Sequence, residues 1–411
     1  METQIEKLYK MRLNPAYPMA DGSDHATILP PEILIRIFCL TPDDALACIK
    51  TCKTFKDPAI NVHWKKFNNQ RFKNLLDMDD KKIKASYIAH VRDLVIEFPE
   101  YWDGKSINIS HLITPKLRSL ELVGFNTRHF ILALCQVTGL ETLRFKPLSD
   151  SYMEFLPIVC CSPTLKTPEF DDRVRGQDSI FIALAQHPCI ADVALTDALD
   201  LDIVTNALAK PEPFTSLRCL NVVIRFAAVD DLLFALPQLK SLTMHIYDID
   251  TQSIQSTTNK ISKLARLQDL TLIINRPVSI SASSLTPLQR LPRLTKLYLE
   301  EEIPNNIDMS HLTENDLIFF LIDMHLQHLY IRLSFLNDSF LGHRGIDATT
   351  SLNRIGRACH TLQALELPGD YSTEALDTTS PPSFPNLDLQ RIKEPRYLSL
   401  RKIRNVCFAC R

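Results

Sequence analysis

Hydrophobic positions recur along most of the chain in one short pattern, Leu-x-x-Leu-x-Leu, with Ile, Val or Phe as alternatives. The last two apolar positions of each copy alternate with polar ones, which is typical of a strand with one buried face. Successive copies are 22 to 36 residues apart, and most of these steps suit a leucine-rich repeat. The middle positions of the eleven copies are Leu94, Leu120, Leu143, Pro168, Val193, Leu220, Leu242, Leu270, Leu297, Leu329 and Leu365.

The segments between these strands carry helical patterns. One example is the apolar stripe after Thr313 and Glu314, and proline stands two residues before the first strand anchor in five copies. A repeated strand and helix predict an α/β leucine-rich-repeat solenoid of about eleven irregular units over residues 88–395. We expect a parallel sheet on its concave side and helices on its convex side. The five prolines are interpreted as helix stops; they are Pro115, Pro163, Pro188, Pro237 and Pro292.

Side chains between the strand anchors are predicted to be exposed on the concave side, where a protein partner would bind. Thr243, Thr271 and Tyr298 are expected to lie beside one another there. The last repeats combine two tyrosines with charged neighbours and have the widest spacing. Tyrosine and arginine are enriched at binding hot spots, so this end is the candidate substrate site. Its residues are Tyr298, Glu300, Tyr330 and Arg332, and the alternative is the first repeats around Glu121 and Arg144.

A different pattern precedes the repeats. Residues 29–40 form a proline-opened amphipathic helix, a second helix begins near Thr41, and Phe55 and Trp64 add aromatic bulk. A bundle of only about 40 residues buries little surface, and more apolar side chains point outward here than its core can absorb. The segment therefore predicts a binding partner.

This segment resembles the F-box. The resemblance rests on the Leu-Pro start at Leu29, the apolar pair Ile37 and Phe38, the stretch 52–55 and the late Trp64. It implies docking on a Skp-type adaptor that joins a cullin ubiquitin ligase, while the repeats hold a protein substrate. The residues that the resemblance assigns to adaptor binding are Leu29, Pro30, Glu32, Ile33, Leu34, Ile37, Phe38 and Leu46.

The predicted organisation has five segments. A flexible stretch over 1–27 precedes an F-box at 28–68 and a linker at 69–87; the solenoid at 88–395 is followed by a tail at 396–411. The regular asparagine that leucine-rich repeats carry after the third anchor is mostly absent, so no family substrate site is transferred to this chain.

Composition narrows the chemistry. With 46 basic and 48 acidic side chains the net charge is -2, which offers no global field for nucleic acid or an anionic membrane. Glycine-rich phosphate loops and hydrolase motifs are absent from the sequence, and the pair Cys407 and Cys410 lacks two further metal ligands. We therefore expect no cofactor, no metal, no nucleic acid and no membrane span, and an odd cysteine count in a chain without a leader pattern favours the cytoplasm or nucleus.

The sequence thus predicts a non-catalytic substrate receptor, with catalysis in partner subunits. One alternative is a leucine-rich-repeat scaffold that acts outside ubiquitin transfer. A second is an enzyme, for which a deep polar pocket with a histidine or paired carboxylates would be required.

Overall fold

The computed structural model of the chain describes residues 30–40, 55, 57–60, 62, 66–67, 88–97, 114, 116–124, 137–146, 156–171, 174, 176–276, 278–302, 307–308, 314–322, 324–332 and 354–366. The chain divides into two compact units, residues 1–95 and 96–411. The predicted segment boundaries near residues 27, 68 and 395 lie outside the described residues, so that division of the sequence stays a prediction.

The first unit contains helix α1 (Pro31–Leu40), which begins at a proline, where the missing N–H costs nothing. The carbonyl of Pro30 accepts from the backbone N–H groups of Ile33 and Leu34 at 3.0 and 3.2 Å. Strand β1 (Lys66–Phe67) pairs in parallel with β2 (Asp93–Glu97), with Lys66 opposite Asp93 and Phe67 opposite Leu94.

The second unit is built on a parallel sheet. In its described part, ten strands lie side by side in chain order, and two short strands, β10 and β12, form a separate pair. The strands are β3 (Ser119–Val123), β4 (Thr142–Lys146), β5 (Thr167–Phe170), β6 (Asp192–Leu199), β7 (Cys219–Arg225), β8 (Ser241–Tyr247), β9 (Asp269–Ile274), β10 (Val278–Ser279), β11 (Lys296–Glu301), β12 (Ile307–Asp308), β13 (His328–Arg332) and β14 (Ala364–Glu366).

The strand register follows the sequence repeat. Leu242, Leu270 and Leu297 stand opposite one another on β8, β9 and β11, and each is completely buried. This confirms the predicted burial of three anchors on neighbouring parallel strands. The same register aligns the middle anchors from Leu120 to Pro168 and from Val193 to Leu365. The fold is therefore an α/β leucine-rich-repeat array.

Helices connect most of these strands. They are α2 (Leu156–Cys161), α3 (Gln177–Ala185), α4 (Leu201–Leu208), α5 (Phe226–Ala235), α6 (Thr251–Ile261), α7 (Ala282–Leu285) with a 3-10 turn at Thr286–Arg290, and α8 (Glu314–Leu321). Successive helices pack against one another from α2 to α6, and α3 and α5 contact the strands β6 and β7. The helices thus cover the face of the sheet that carries the leucine anchors. We call the opposite face the open face.

Among the described residues, eight of the repeats enter their strands through the same four-residue turn. The backbone N–H of the first anchor donates to the carbonyl three residues earlier, as in Leu239 to Leu236 (3.3 Å) and Leu294 to Leu291 (3.4 Å). Pro237 and Pro292 occupy the second position of these turns, where a fixed φ near -65° is favoured. Pro237 and Pro292 therefore shape the turns before β8 and β11, in addition to following a helix as the sequence predicted.

Candidate protein-binding surfaces

Helix α1 carries an exposed apolar stripe. Ile33, Ile37 and Leu40 are 41%, 41% and 72% exposed, and their i, i+4, i+7 spacing places them on one side of the helix. The other side holds the helix in place, because Phe38 packs edge-on against Phe55 with ring centroids 5.9 Å apart. We call Ile33, Ile37 and Leu40 the α1 stripe.

The predicted adaptor residues separate into two groups. Pro30, Glu32, Ile33 and Ile37 are exposed. Leu34 and Phe38 are only 3% and 4% exposed and form a small core with Ala59, against which Phe55 and Val62 pack. They belong to the interior of this unit in the free chain, and their assignment to adaptor binding stays a prediction. Leu29 and Leu46 lie outside the described residues.

On the open face of the second unit, the side chains between the anchors form a row that crosses the strands. Thr243, Thr271 and Tyr298 stand in register in this row, as predicted. They are half-buried and not exposed as expected, because neighbouring side chains on adjacent strands stand only about 5 Å away. In strand order the row is Glu121, Arg144, Glu169, Ala194, Asn221, Thr243, Thr271, Tyr298 and Tyr330.

In the first repeats, side chains of this row form ion pairs between neighbouring strands. Arg144 bonds both carboxylate oxygens of Glu169 at 2.8 and 3.3 Å, and it lies 3.7 Å from Glu121. Lys146 also reaches Glu121, at 2.9 Å. We call Glu121, Arg144, Lys146 and Glu169 the charged end; its side chains satisfy one another.

The last repeats present aromatic rings instead. Tyr298 and Tyr330 stack face to face, with centroids 4.3 Å apart and planes 5° from parallel. His328 belongs to the same cluster. Its ring is nearly parallel to that of Tyr330, and the two ring centroids are 6.3 Å apart. We call Tyr298, His328 and Tyr330 the aromatic end.

The predicted substrate residues are neighbours in the sheet. Tyr298 stands opposite Tyr330, and Glu300 stands opposite Arg332 on the adjacent strand. His328 was not among the residues that the sequence predicted for this end. The signal was available, since His328 stands two residues before Tyr330 and residues two apart in a strand share a face.

Charged residues also gather where the strands end. Arg225 bridges Asp200 (2.5 Å) and Asp248 (2.8 Å), and Arg276 binds the same Asp248 at 2.5 Å. Burial raises the pKa of Asp178, and the nearby carboxylates of Asp197 and Asp200 raise it further. The ion pairs of Arg225 and Arg276 thus link the ends of β6 to β9, whereas Asp178 faces carboxylates of the same charge.

Within the described residues, no group of three or more His, Cys, Asp or Glu side chains is arranged to hold a metal ion. No helix in the described part of the chain is long and apolar enough to cross a bilayer.

The α1 stripe lies inside a recognisable family segment. Residues 26–70 match the F-box-like family model. The F-box-like match extends a few residues beyond the predicted 28–68, and it covers about a tenth of the chain. No curated protein matches the chain.

A solved structure is similar to the chain, a crystal structure of a TLR13–ssRNA13 complex, with a TM-score of 0.33 and 15% identity. The alignment covers 74% of this chain and 53% of that one, so the chain spans about half the length of that structure.

Proposed function

We propose that this protein is a non-catalytic substrate-recognition subunit of a Skp/cullin/F-box ubiquitin ligase, working in the cytoplasm or nucleus. In this proposal the F-box-like segment docks on a Skp-type adaptor and the repeats hold the protein to be modified. The observation that carries it is the α1 stripe, three exposed apolar side chains within the residues that match the F-box-like family.

The stripe explains why a partner is needed. Complete burial of a fully exposed apolar side chain gains roughly 1.5 to 3 kcal/mol. Ile33, Ile37 and Leu40, at 41%, 41% and 72% exposure, gain a part of this in proportion to the area that a partner covers. A groove on the adaptor that accepts one helix face would cover all three together. The buried Leu34 and Phe38 then act indirectly, by fixing the helix against Phe55 and Ala59.

The adaptor test uses the full chain with its exposed stripe made polar. Ile33→Ser, Ile37→Ser and Leu40→Ser together should reduce affinity for a purified Skp-type adaptor by at least about a hundredfold, since three apolar anchors are lost. Arg36→Ala, on the same helix and also exposed, serves as the matched control and should bind within a few-fold of the wild type. Equal binding by the triple variant and the wild type would contradict the assignment.

The same preparation separates a ligase subunit from a scaffold. A receptor should bring a cullin into the complex when the adaptor and cullin are both supplied. A chain that binds the adaptor but excludes the cullin would instead be a leucine-rich-repeat scaffold acting outside ubiquitin transfer.

We further propose that the substrate binds at the aromatic end, with Tyr298, Glu300, Tyr330 and Arg332 as contacts. Three observations support this site. The charged end satisfies its own side chains, the middle of the row carries small side chains such as Ala194 and Thr243, and the aromatic end concentrates ring surface with polar atoms. Large, rigid aromatic groups of this kind dominate binding energy at protein interfaces.

The substrate test compares two double variants in the same row. Tyr298→Ala with Tyr330→Ala should reduce recovery of proteins that co-purify with the receptor by about tenfold or more, while adaptor binding is unchanged. Thr243→Ala with Thr271→Ala is the control, because it alters small side chains in the same row. Loss of these proteins on changing Glu121 and Arg144, with no effect at the tyrosines, would move the site to the charged end.

A further inference from the structure

The turns that lead into β7, β8, β9 and β11 carry mostly positive charge. Residues 209–218, 236–240, 262–268 and 289–295 contain seven basic side chains and one acidic side chain, Glu212. The net charge of the whole chain, -2, conceals this concentration. The seven are Lys210, which is partly buried, and the exposed Arg218, Lys240, Lys263, Arg266, Arg290 and Arg293. We call Arg218, Lys240, Arg266 and Arg293 the basic edge.

A ladder of backbone hydrogen bonds brings the basic edge together. The N–H of Lys240 donates to the carbonyl of Arg218 at 2.7 Å, and the ladder continues from Gln268 to Lys240 (2.7 Å) and from Thr295 to Gln268 (2.8 Å). Arg266 and Arg293 stand two residues before Gln268 and Thr295, so all four cations lie at one edge of the sheet. With about 4.8 Å between strands, they span roughly 15 Å.

Other basic side chains of the same unit form ion pairs with acidic side chains of that unit. Arg118 and Lys166 flank Glu141 at 3.7 and 2.8 Å, and Arg225 and Arg276 share Asp248. In contrast, the four side chains of the basic edge form no ion pair and no side-chain hydrogen bond with any described residue. Like charges on neighbouring strands repel one another, so this arrangement does not serve the stability of the fold.

The equivalent positions in other repeats form hydrogen bonds that Arg266 and Arg293 do not form with described residues. In the turn before each strand, the residue just ahead of the first anchor can bond the preceding repeat: Ser216 donates to the carbonyl of Pro188 at 2.6 Å, and Gln238 to that of Phe214 at 2.8 Å. Arg266 and Arg293 occupy this position in the next two repeats and make no such bond among the described residues. Here the position carries exposed charge instead of a contact between repeats.

We propose that the basic edge is a docking surface for an acidic segment of a partner protein, a stretch rich in Asp or Glu. An extended segment of about five residues, at roughly 3.3 Å per residue, spans the four cations. A single-stranded nucleic acid fits less well, because bases need aromatic rings to stack on and the four turn segments expose none; their one ring, Phe214, is completely buried. This surface does not depend on the adaptor role proposed above.

The test titrates the full chain into a fluorescently labelled deca-glutamate peptide. Replacing Arg218, Lys240, Arg266 and Arg293 by Gln should weaken binding by roughly tenfold or more at low salt, and added salt should weaken wild-type binding in the same direction. The matched control replaces four internally paired cations, Arg118, Lys166, Arg225 and Arg276, by Gln. It changes the net charge equally and should bind the peptide within about threefold of the wild type.

Three results would overturn the proposal. Equal loss of binding in the two quadruple variants would mean that only net charge matters. Tighter binding of an oligo-dT of matched charge than of deca-glutamate would identify a nucleic-acid surface. Sedimentation showing a wild-type oligomer that the basic-edge variant loses would make a second copy of this chain the occupant. Circular dichroism of both variants verifies that they are folded.

Discussion

The two ends of the open face have the same arrangement of parallel strands and differ in the chemistry of their side chains. At both ends completely buried leucines precede outward side chains, as Leu143 precedes Arg144 and Leu297 precedes Tyr298. The charged end uses its outward positions for ion pairs between strands, whereas the aromatic end uses them for stacked rings. In this array the anchors form the interior, and the alternate positions differ in chemistry from one end to the other.

The largest expected effect tests whether the ends share their core. Leu143→Ala and Leu297→Ala should each lower the free energy of unfolding by about 2 to 5 kcal/mol, because both leave a cavity in a packed interior. Urea denaturation followed by circular dichroism measures this, with Thr271→Ala as a control that should cost less than about 1 kcal/mol. A large loss at only one end would show that the repeats are not equivalent.

A smaller effect distinguishes the charged end. Arg144→Met should cost about 1 to 2 kcal/mol, since Glu169, whose side chain is only 15% exposed, would lose a bidentate partner. The loss should shrink in 1 M salt, where charge interactions are screened. An effect that does not depend on salt would mean that Arg144 contributes through packing and not through charge.

The aromatic end should show coupling of another kind. A double-mutant cycle on Tyr298→Ala and Tyr330→Ala should give an interaction energy of about 0.5 to 1.5 kcal/mol, the value expected for a stacked pair. Because this contact is not ionic, the coupling should be the same at low and high salt. A coupling near zero would indicate that the two rings do not stack in solution.

The smallest effect depends on pH and concerns Glu141, beside the charged end. A hydrogen bond from Lys166, opposed in part by desolvation and reinforced by the charges of Lys166 and Arg118, lowers the pKa of this carboxyl. A lowered pKa adds stability above the unfolded value of about 4.3 and loses it as the pH falls through the folded value. Glu141→Gln should therefore cost up to about 0.5 kcal/mol at pH 7, given its exposure, and almost nothing near pH 2. Equal costs at both pH values would contradict this origin.

Much of the second unit follows from the sequence. The spacing of the leucines determines the register of the strands, and the register alone places Tyr298 beside Tyr330 and Glu300 opposite Arg332. The half-burial of Thr243 and Thr271 does not follow from one strand, because it is imposed by side chains on the neighbouring strands. The bidentate bond of Arg144 to Glu169 depends on rotamers, which a repeat pattern does not specify.

The first unit shows a different limit. Helical periodicity places Ile33, Leu34, Ile37 and Phe38 on adjoining faces, so it cannot decide which pair is buried. In the structure Phe38 packs against Phe55, and Leu34 and Phe38 are the buried pair. Leu40, the most exposed member of the α1 stripe, was not among the residues that the resemblance assigned to adaptor binding.

The central claim is that the adaptor and the substrate use separate surfaces, and hydrogen–deuterium exchange of the full chain tests it most directly. Exchange is measured with and without a purified Skp-type adaptor. We expect slower exchange in peptides covering α1 and no change in peptides covering β11 and β13. Protection of β11 and β13 by the adaptor, with α1 unchanged, would contradict it.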